Sequence, residues 1–305
     1  MGIVAAGVIL GLSTAVLQSL SYIFSRRFLS KKRTGPGSLF CLSHIHMGII
    51  SAMLLPFFLR SLPGADSILP LAGTAGFYLT GQFVLFRALN RIESSQLTPL
   101  LGFKIPILGM LSLIFFHTAI HPLGWVSILL CTAGGIIMSP PRGSVNVLLL
   151  ASALIISAGY AGSDICIPIL IKSLSGISIV PVAAAVCLCY IVCGIVGLVF
   201  LLSGVMGPRN AIRDRSLHVL ALPYSAAWLA AMVCLFACFN TIGVVFGNML
   251  QSTRAILSVL IGILVTRLGF LALEDLRSKR IITYRFVGAS VITAAIMLFV
   301  RSRTL

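Results

Sequence analysis

Apolar runs long enough to cross a bilayer recur along this whole chain, and that recurrence limits the fold more than any single motif. A spanning helix needs about 20 mostly apolar residues. Runs of that kind place helices at 3–25, 38–59, 68–89, 96–116 and 121–138, and again at 146–170, 179–203, 217–239, 244–267 and 283–301. The breaks between them carry turn chemistry: Lys31–Gly37, Ser61–Gly64, Pro140–Gly143, Gly207–Asn210 and the charged run Leu273–Arg280. Around His117–Pro122 there is room only for a tight hairpin. Charged residues make up 9% of the chain, against about 25% in a soluble domain, too few to coat a water-facing surface. The N-terminal run lacks the positive flank of a signal peptide and reads as a retained first helix.

Ten helices divide at Pro140-Pro141 into segments 1–140 and 141–305. Five helices per half is an odd number, so the halves enter the membrane in opposite senses. The expected fold is therefore an all-α integral membrane protein of ten transmembrane helices, as two inverted five-helix repeats around a central cavity. Repeats of this kind build many secondary transporters, with the solute near the midplane. A short internal similarity agrees: Pro106-Ile-Leu-Gly-Met-Leu in the fourth helix matches Ala255-Ile-Leu-Ser-Val-Leu in the ninth.

The net charge of +16 does not indicate nucleic-acid binding, because the basic residues sit in short loops where they orient helices. Of the 22 Lys and Arg residues, only Arg60, Lys172, Arg301 and Arg303 fall on the side shared by the termini. Lys104 and Arg254 lie within spans, and all the rest are on the opposite side. The bias places both termini outside the cytoplasm of a bacterial-type inner (cell) membrane.

Lysine and arginine at mid-depth in a membrane are costly and usually face a cavity or a partner. Lys104 is central in the fourth helix and Arg254 in the ninth, offset by one residue on the similarity above. The pair suggests a shared cavity holding an anion or carboxylate; the structural alternative is that they neutralise a buried acid or bond to freed carbonyls. Asp164 is the clearest intramembrane acid, available to balance either cation or to carry a coupling proton. His46 could join that coupling or charge balance, or simply pack; His44 and His46 stand two apart, on roughly opposite faces, and cannot form a metal pair one turn apart. Gln18, Tyr22, Gln82, Tyr160, Asn248 and Gln251 could offer hydrogen bonds to a solute, although such side chains also join helices. Gln251, about one turn before Arg254, is the best placed.

The eight cysteines all lie in apolar runs, and Cys187, Cys189 and Cys193 lack zinc-site spacing. No metal, cofactor or disulfide framework is implied. Gly7-x3-Gly11 and Gly243-x3-Gly247 permit close helix contact, within the chain or at a homodimer seam. The Arg26–Arg33 cluster sets topology and could meet anionic membrane lipid. No hydrolase triad, phosphate-binding glycine loop or paired catalytic carboxylates is present, which argues against an enzyme.

Several stretches carry a resemblance. Residues 88–101 (ALNRIESSQLTPLL), 106–109 (PILG) and 121–138 (HPLGWVSILLCTAGGIIM), echoed by 251–262 (QSTRAILSVLIG) and 285–298 (RFVGASVITAAIML), resemble the drug/metabolite transporter superfamily, and within it the EamA-like ten-helix branch. That resemblance implies alternating access around a central cavity, and export or exchange of amino acids, nucleotide-derived metabolites or other small solutes. Relatives that exchange sugar phosphates or nucleotide sugars use basic residues in the fourth and ninth helices, where Lys104 and Arg254 stand. Two features depart from the family pattern. Its usual orientation has cytoplasmic termini, and the acidic residue between the fourth and fifth helices is replaced here by His117-Thr-Ala-Ile-His121. The function expected is a secondary transporter of a small anionic or zwitterionic metabolite. The rivals are a membrane-embedded enzyme or lipid-processing protein, and a cationic drug exporter using Asp164.

Overall fold

The computed structural model describes residues 2–30, 35–58, 63–88, 97, 100–117, 119–138, 147–174, 176, 179–254, 256–257, 260–261 and 279–302. Ten α-helices have described bounds: α1 (Ile3–Leu29), α2 (Pro36–Phe58), α3 (Ala65–Ala88), α4 (Lys104–Phe116), α5 (Pro122–Met138), α6 (Val147–Ser173), α7 (Val180–Ser203), α8 (Arg215–Ile242), α9 (Val244–Ser252) and α10 (Lys279–Ser302). Each corresponds to one expected span. The breaks expected at Lys31–Arg33 and Pro140–Gly143, most of Leu273–Arg280, most of the 88–101 stretch and the end of the ninth span lie outside the described residues. α1, α2, α3, α6, α7 and α8 are each long and apolar enough to cross a membrane; α5 and the stretches 101–116 and 286–302 are shorter apolar helices. Large apolar side chains such as Phe57, Leu69, Val147 and Phe286 stand exposed on the outside, a surface suited to lipid rather than water.

The fourth and ninth spans differ from the unbroken helices expected. Leu101–Phe103 is a 3-10 turn leading directly into Lys104. α9 stops at Ser252, and Thr253 turns before the chain is helical again at Arg254. Thr253 tightens its own turn: both its amide and its hydroxyl donate to the Leu250 carbonyl, at 3.1 and 2.7 Å. Hydroxyls competing for backbone partners in this way bend helices. Neighbouring helices supply donors at both breaks, Thr132 to the Gly102 carbonyl at 3.4 Å and Ser19 to the Arg254 carbonyl at 3.1 Å. Such donors make interrupted backbone tolerable at membrane depth.

Packing pairs helices across the two halves: α1 lies along α8, α2 along α7, α3 along α6, and α5 along α10. Small residues let the backbones approach. A Cβ on Gly48 would stand 2.9 Å from the Gly194 Cα, one on Gly159 2.9 Å from the Phe77 carbonyl oxygen, and one on Gly134 3.0 Å from the Gly288 carbonyl oxygen. Without a hydrophobic driving force between helices in lipid, this close van der Waals contact holds them together. The Gly7-x3-Gly11 face is filled from within the chain by Ile242 on α8 and Leu250 on α9, and Gly247 meets Phe239. Gly243, with φ of 88°, is the single residue between α8 and α9; a positive φ there favours glycine.

Gly48→Ala is expected to cost about 1–3 kcal/mol by overpacking the α2–α7 crossing, lowering the thermal unfolding midpoint in detergent. Gly76→Ala on α3, where an added Cβ meets nothing within 4 Å, should leave it unchanged. Equal midpoints for the two variants would refute the crossing as a packing determinant.

Candidate functional site

The two spans interrupted beside a cation bring those cations to one region. Lys104, the first residue of α4, places its Nζ 2.7 Å from Asp164 Oδ2 on α6. Asn248 on α9 donates its amide to the same oxygen at 2.7 Å while also donating to the Val244 carbonyl. Arg254 donates from Nη1 to Gln18 Oε1 on α1 at 3.1 Å, and its charge is close enough to Lys104 for the two to repel. The arrangement is matched by helix: each cation reaches the first helix of the opposite half, Lys104 to α6 and Arg254 to α1.

The two cations differ in charge balance. Lys104 and Asp164 form a close ion pair with side chains 15% and 8% exposed. Arg254 has a neutral acceptor in Gln18, and among the described residues no carboxylate lies within ion-pair reach of it. A hydrogen bond to a charged group contributes about 1.5–3 kcal/mol, and the Tyr22 ring 5.9 Å from the guanidinium carbon adds about 0.5–2 kcal/mol. A charge at mid-membrane depth costs several kcal/mol, so these contacts offset only part of it. Among the described residues, these two half-buried cations and one buried carboxylate leave a single positive charge.

From the cations an aromatic chain runs through the bundle. Arg254 faces Tyr22; Tyr22 meets Trp228 edge-on with centroids 6.3 Å apart. Trp228 donates its indole N–H to the Tyr190 hydroxyl at 3.0 Å and stacks on Tyr224. Tyr190 meets Tyr78 at 6.1 Å, Tyr78 meets Tyr160 at 6.3 Å, and Lys104 Nζ stands 5.8 Å from the Tyr160 centroid. The Lys104–Asp164–Asn248 contacts close the circuit back to α9. A belt thus passes through α9, α1, α8, α7, α3, α6 and α4. Five of the six tyrosines are in it, and Tyr22, Tyr78, Tyr160, Lys104 and Arg254 are only half-buried, each leaving some surface accessible.

Of the residues singled out by sequence, Lys104, Asp164, Asn248, Arg254, Gln18 and Tyr22 come together in this circuit. Gln251 lies one turn before Arg254, 6% exposed, and its side-chain amide has no hydrogen bond to a described residue. Gln82 enters indirectly: it donates to the Tyr78 hydroxyl at 3.1 Å, and that hydroxyl lies 3.2 Å from His44 Nε2. His44 Nδ1 meets the Phe40 carbonyl at 2.7 Å, so Nδ1 carries the proton and Nε2 accepts from Tyr78. His46 makes its contacts elsewhere, with Nε2 2.8 Å from His218 Nδ1 on α8. His218 Nε2 in turn meets the Ile212 carbonyl at 2.9 Å. Sequence reasoning missed Tyr78, Tyr190, Tyr224, Trp228 and His218. The available signal was that tyrosines, which need a hydroxyl partner when buried, recur inside apolar spans where Phe would pack as well. Among the described residues no group of three His, Cys, Asp or Glu is placed to hold a metal.

Comparison with known proteins bears chiefly on the first half of the chain. Residues 5–139 match the EamA-like transporter family. No curated protein sequence matches the chain. Among solved structures, one protein crystal structure of 16% identity superposes with a TM-score of 0.67, covering 98% of this chain and 98% of its own. At that identity the likeness establishes the fold alone, and it extends over both halves. The match over residues 5–139, together with six described helices long and apolar enough to cross a membrane, supports a multi-pass integral membrane protein.

Removing one partner of a buried ion pair costs about 3–5 kcal/mol, because the other charge stays buried and unpaired. Asp164→Asn should lower stability by about that amount, and the double change Lys104→Met with Asp164→Leu should recover most of it. Unfolding in detergent measures both; an Asp164→Asn protein as stable as the parent would remove the ion pair as a structural element.

Proposed function

We propose that the chain is a secondary transporter that moves a small, negatively charged metabolite by alternating access, with the solute held between two inverted five-helix repeats at Arg254 and the Lys104–Asp164 pair. The observation that carries this reading is that, among the described residues, Arg254 leaves a single positive charge in a half-buried site. A charge kept at such cost, with a neutral protein partner, is positioned for a ligand of opposite sign. Guanidinium groups suit carboxylates and phosphates because their donors are arranged in a planar fork.

The inverted-repeat reading rests on the pairing of helices. Exchanging the first five helices for the last five in order turns α1–α8 into α6–α3, α4–α6 into α9–α1 and α2–α8 into α7–α3, all pairs in contact. α2–α7, α4–α9 and α5–α10 map onto themselves and are also in contact. Two hydrogen bonds follow the same exchange: Thr14 to the Ala231 carbonyl on α1–α8, and Ser163 to the Thr74 carbonyl on α6–α3. Thr14 and Ser163 are separated by the same number of residues as Pro106 and Ala255, the start of the internal similarity. Helices interrupted at the solute site are a recurring device of inverted-repeat transporters, and both interruptions here adjoin the cations. The cationic-exporter alternative is disfavoured because Asp164 already receives Lys104 and Asn248. For the same reason Asp164 acts first as a charge balance, with proton exchange coupled to the loss of its Lys104 contact. An enzyme or lipid-processing role would require product formation in detergent without compartments.

Thermal stability against anionic, zwitterionic, cationic and neutral metabolites tests the reading. A ligand of the folded state stabilises by about 2.7 kcal/mol at a hundredfold excess over its Kd. Anions should stabilise the parent protein, and Arg254→Ala should abolish both that effect and flux of the same anion in proteoliposomes, with Lys104→Ala also losing flux. Stabilisation by cations alone, or undiminished flux in both variants, would overturn the assignment. The charge bias places both termini outside the cytoplasm, so a C-terminal reporter active only in the cytoplasm should be silent; a signal would reverse that orientation.

A further inference from the structure

We infer that the preferred solute is a planar π-bearing monocarboxylate, its carboxylate on Arg254 and its ring against the Tyr–Trp belt. This rests on the transporter reading above and narrows its solute class. Three observations carry it.

The first is the charge. Lys104 is neutralised by Asp164, so the site offers one net positive charge, and Asp164 is not left to receive a solute ammonium. One carboxylate matches that charge; a dianionic phosphate would bring a surplus negative charge. Arg254 gives Nη1 to Gln18 and, with five N–H donors in its fork, keeps others for a carboxylate. The Gln251 amide, without a hydrogen bond to any described residue and one turn before Arg254, is a further donor for the same group.

The second is where the aromatic side chains stand. Phe outnumbers Tyr 18 to 6 in the chain, yet no Phe takes part in the belt contacts and five tyrosines do. Packing alone would be served by Phe, as it is where Phe40 meets Phe86 and Phe246 meets Phe299. Tyrosine and tryptophan add polar edges that here bind one another, Trp228 to Tyr190 and Tyr78 to His44. Those bonds fix the rings of Trp228, Tyr190 and Tyr78, and the half-buried Tyr22 and Tyr160 rings pack against this fixed set.

The third is continuity. Tyr22 lies beside Arg254 and Tyr160 beside Lys104, both half-buried. A small molecule whose carboxylate meets Arg254 therefore brings its body against a ring rather than an aliphatic wall. Cation–π attraction would favour a cationic solute on free rings of this kind, but the rings nearest the site already face protein cations.

Binding to the purified full-length protein in detergent tests this with phenylacetate, cyclohexylacetate, phenyl phosphate and benzyltrimethylammonium. Phenylacetate should bind about three- to tenfold tighter than its saturated counterpart, the range of a well-placed aromatic pair, and tighter than phenyl phosphate. In Tyr22→Leu that preference should collapse toward unity while cyclohexylacetate still binds, which also shows that the variant is folded; Tyr160→Leu provides the same readout if Tyr22→Leu does not fold. Arg254→Gln should lose both carboxylates. Equal affinity for the two carboxylates, both lost in Arg254→Gln, would overturn the planar preference and leave the anion-transporter reading intact. Tighter binding of phenyl phosphate would overturn the monoanion assignment. Failure of phenylacetate to bind overturns the inference whatever else binds, and binding of benzyltrimethylammonium alone overturns the transporter reading with it.

Discussion

Asp164 Oδ2 receives both the Lys104 ammonium and the Asn248 amide, and the centre of the protein depends on that one oxygen. It ties α6 to α4 and α9, the two elements that follow or precede an interruption. It also decides the electrostatics, because it neutralises Lys104 and leaves the charge of Arg254 as the excess. A surface ion pair of this kind would contribute little. At depth the same pair is held by the penalty for separating it.

The helix breaks and the charges belong together. A regular helix consumes its own carbonyls and offers nothing at mid-depth except side chains. By tightening at Leu101–Phe103 and at Thr253, the fourth and ninth spans release backbone groups that Thr132 and Ser19 then meet. Those same places carry Lys104 and Arg254. Mid-helix stretches of 3-10 character often mark functional hinges. Here the interruptions, the charges and the half-buried rings share one region, while the outer faces remain apolar and the glycine crossings bind the two halves.

Much of this was legible in the chain. Among the described residues each of the ten apolar spans holds an α-helix, because length and apolarity suffice when every segment must satisfy its own backbone. Lys104, Arg254 and Asp164 stood out because charges are rare and costly inside such spans. Gln18, Asn248 and Tyr22 were legible as hydrogen-bonding groups for a solute or between helices, but not as the neighbours of Arg254 and Asp164. The aromatic belt was not legible: Tyr22, Tyr78, Tyr160, Tyr190 and Trp228 lie on five helices far apart in sequence, and nothing local distinguishes a tyrosine turned inward from one that packs. The His46–His218 contact was hidden for the same reason, since its partners stand on α2 and α8.

The sequence by itself determined the medium, the number of apolar spans, and the identity of the rare charges within them. These follow from local quantities: hydropathy over a helix length, turn chemistry, and the cost of a charge in hydrocarbon. Only the tertiary structure decided which cation the single acid neutralises, where the spans tighten, and which rings face one another. Those outcomes depend on contacts between residues separated by most of the chain, such as Gln18 with Arg254. Their geometry is set by how closely the glycine-lined helices approach, and no local pattern encodes that distance.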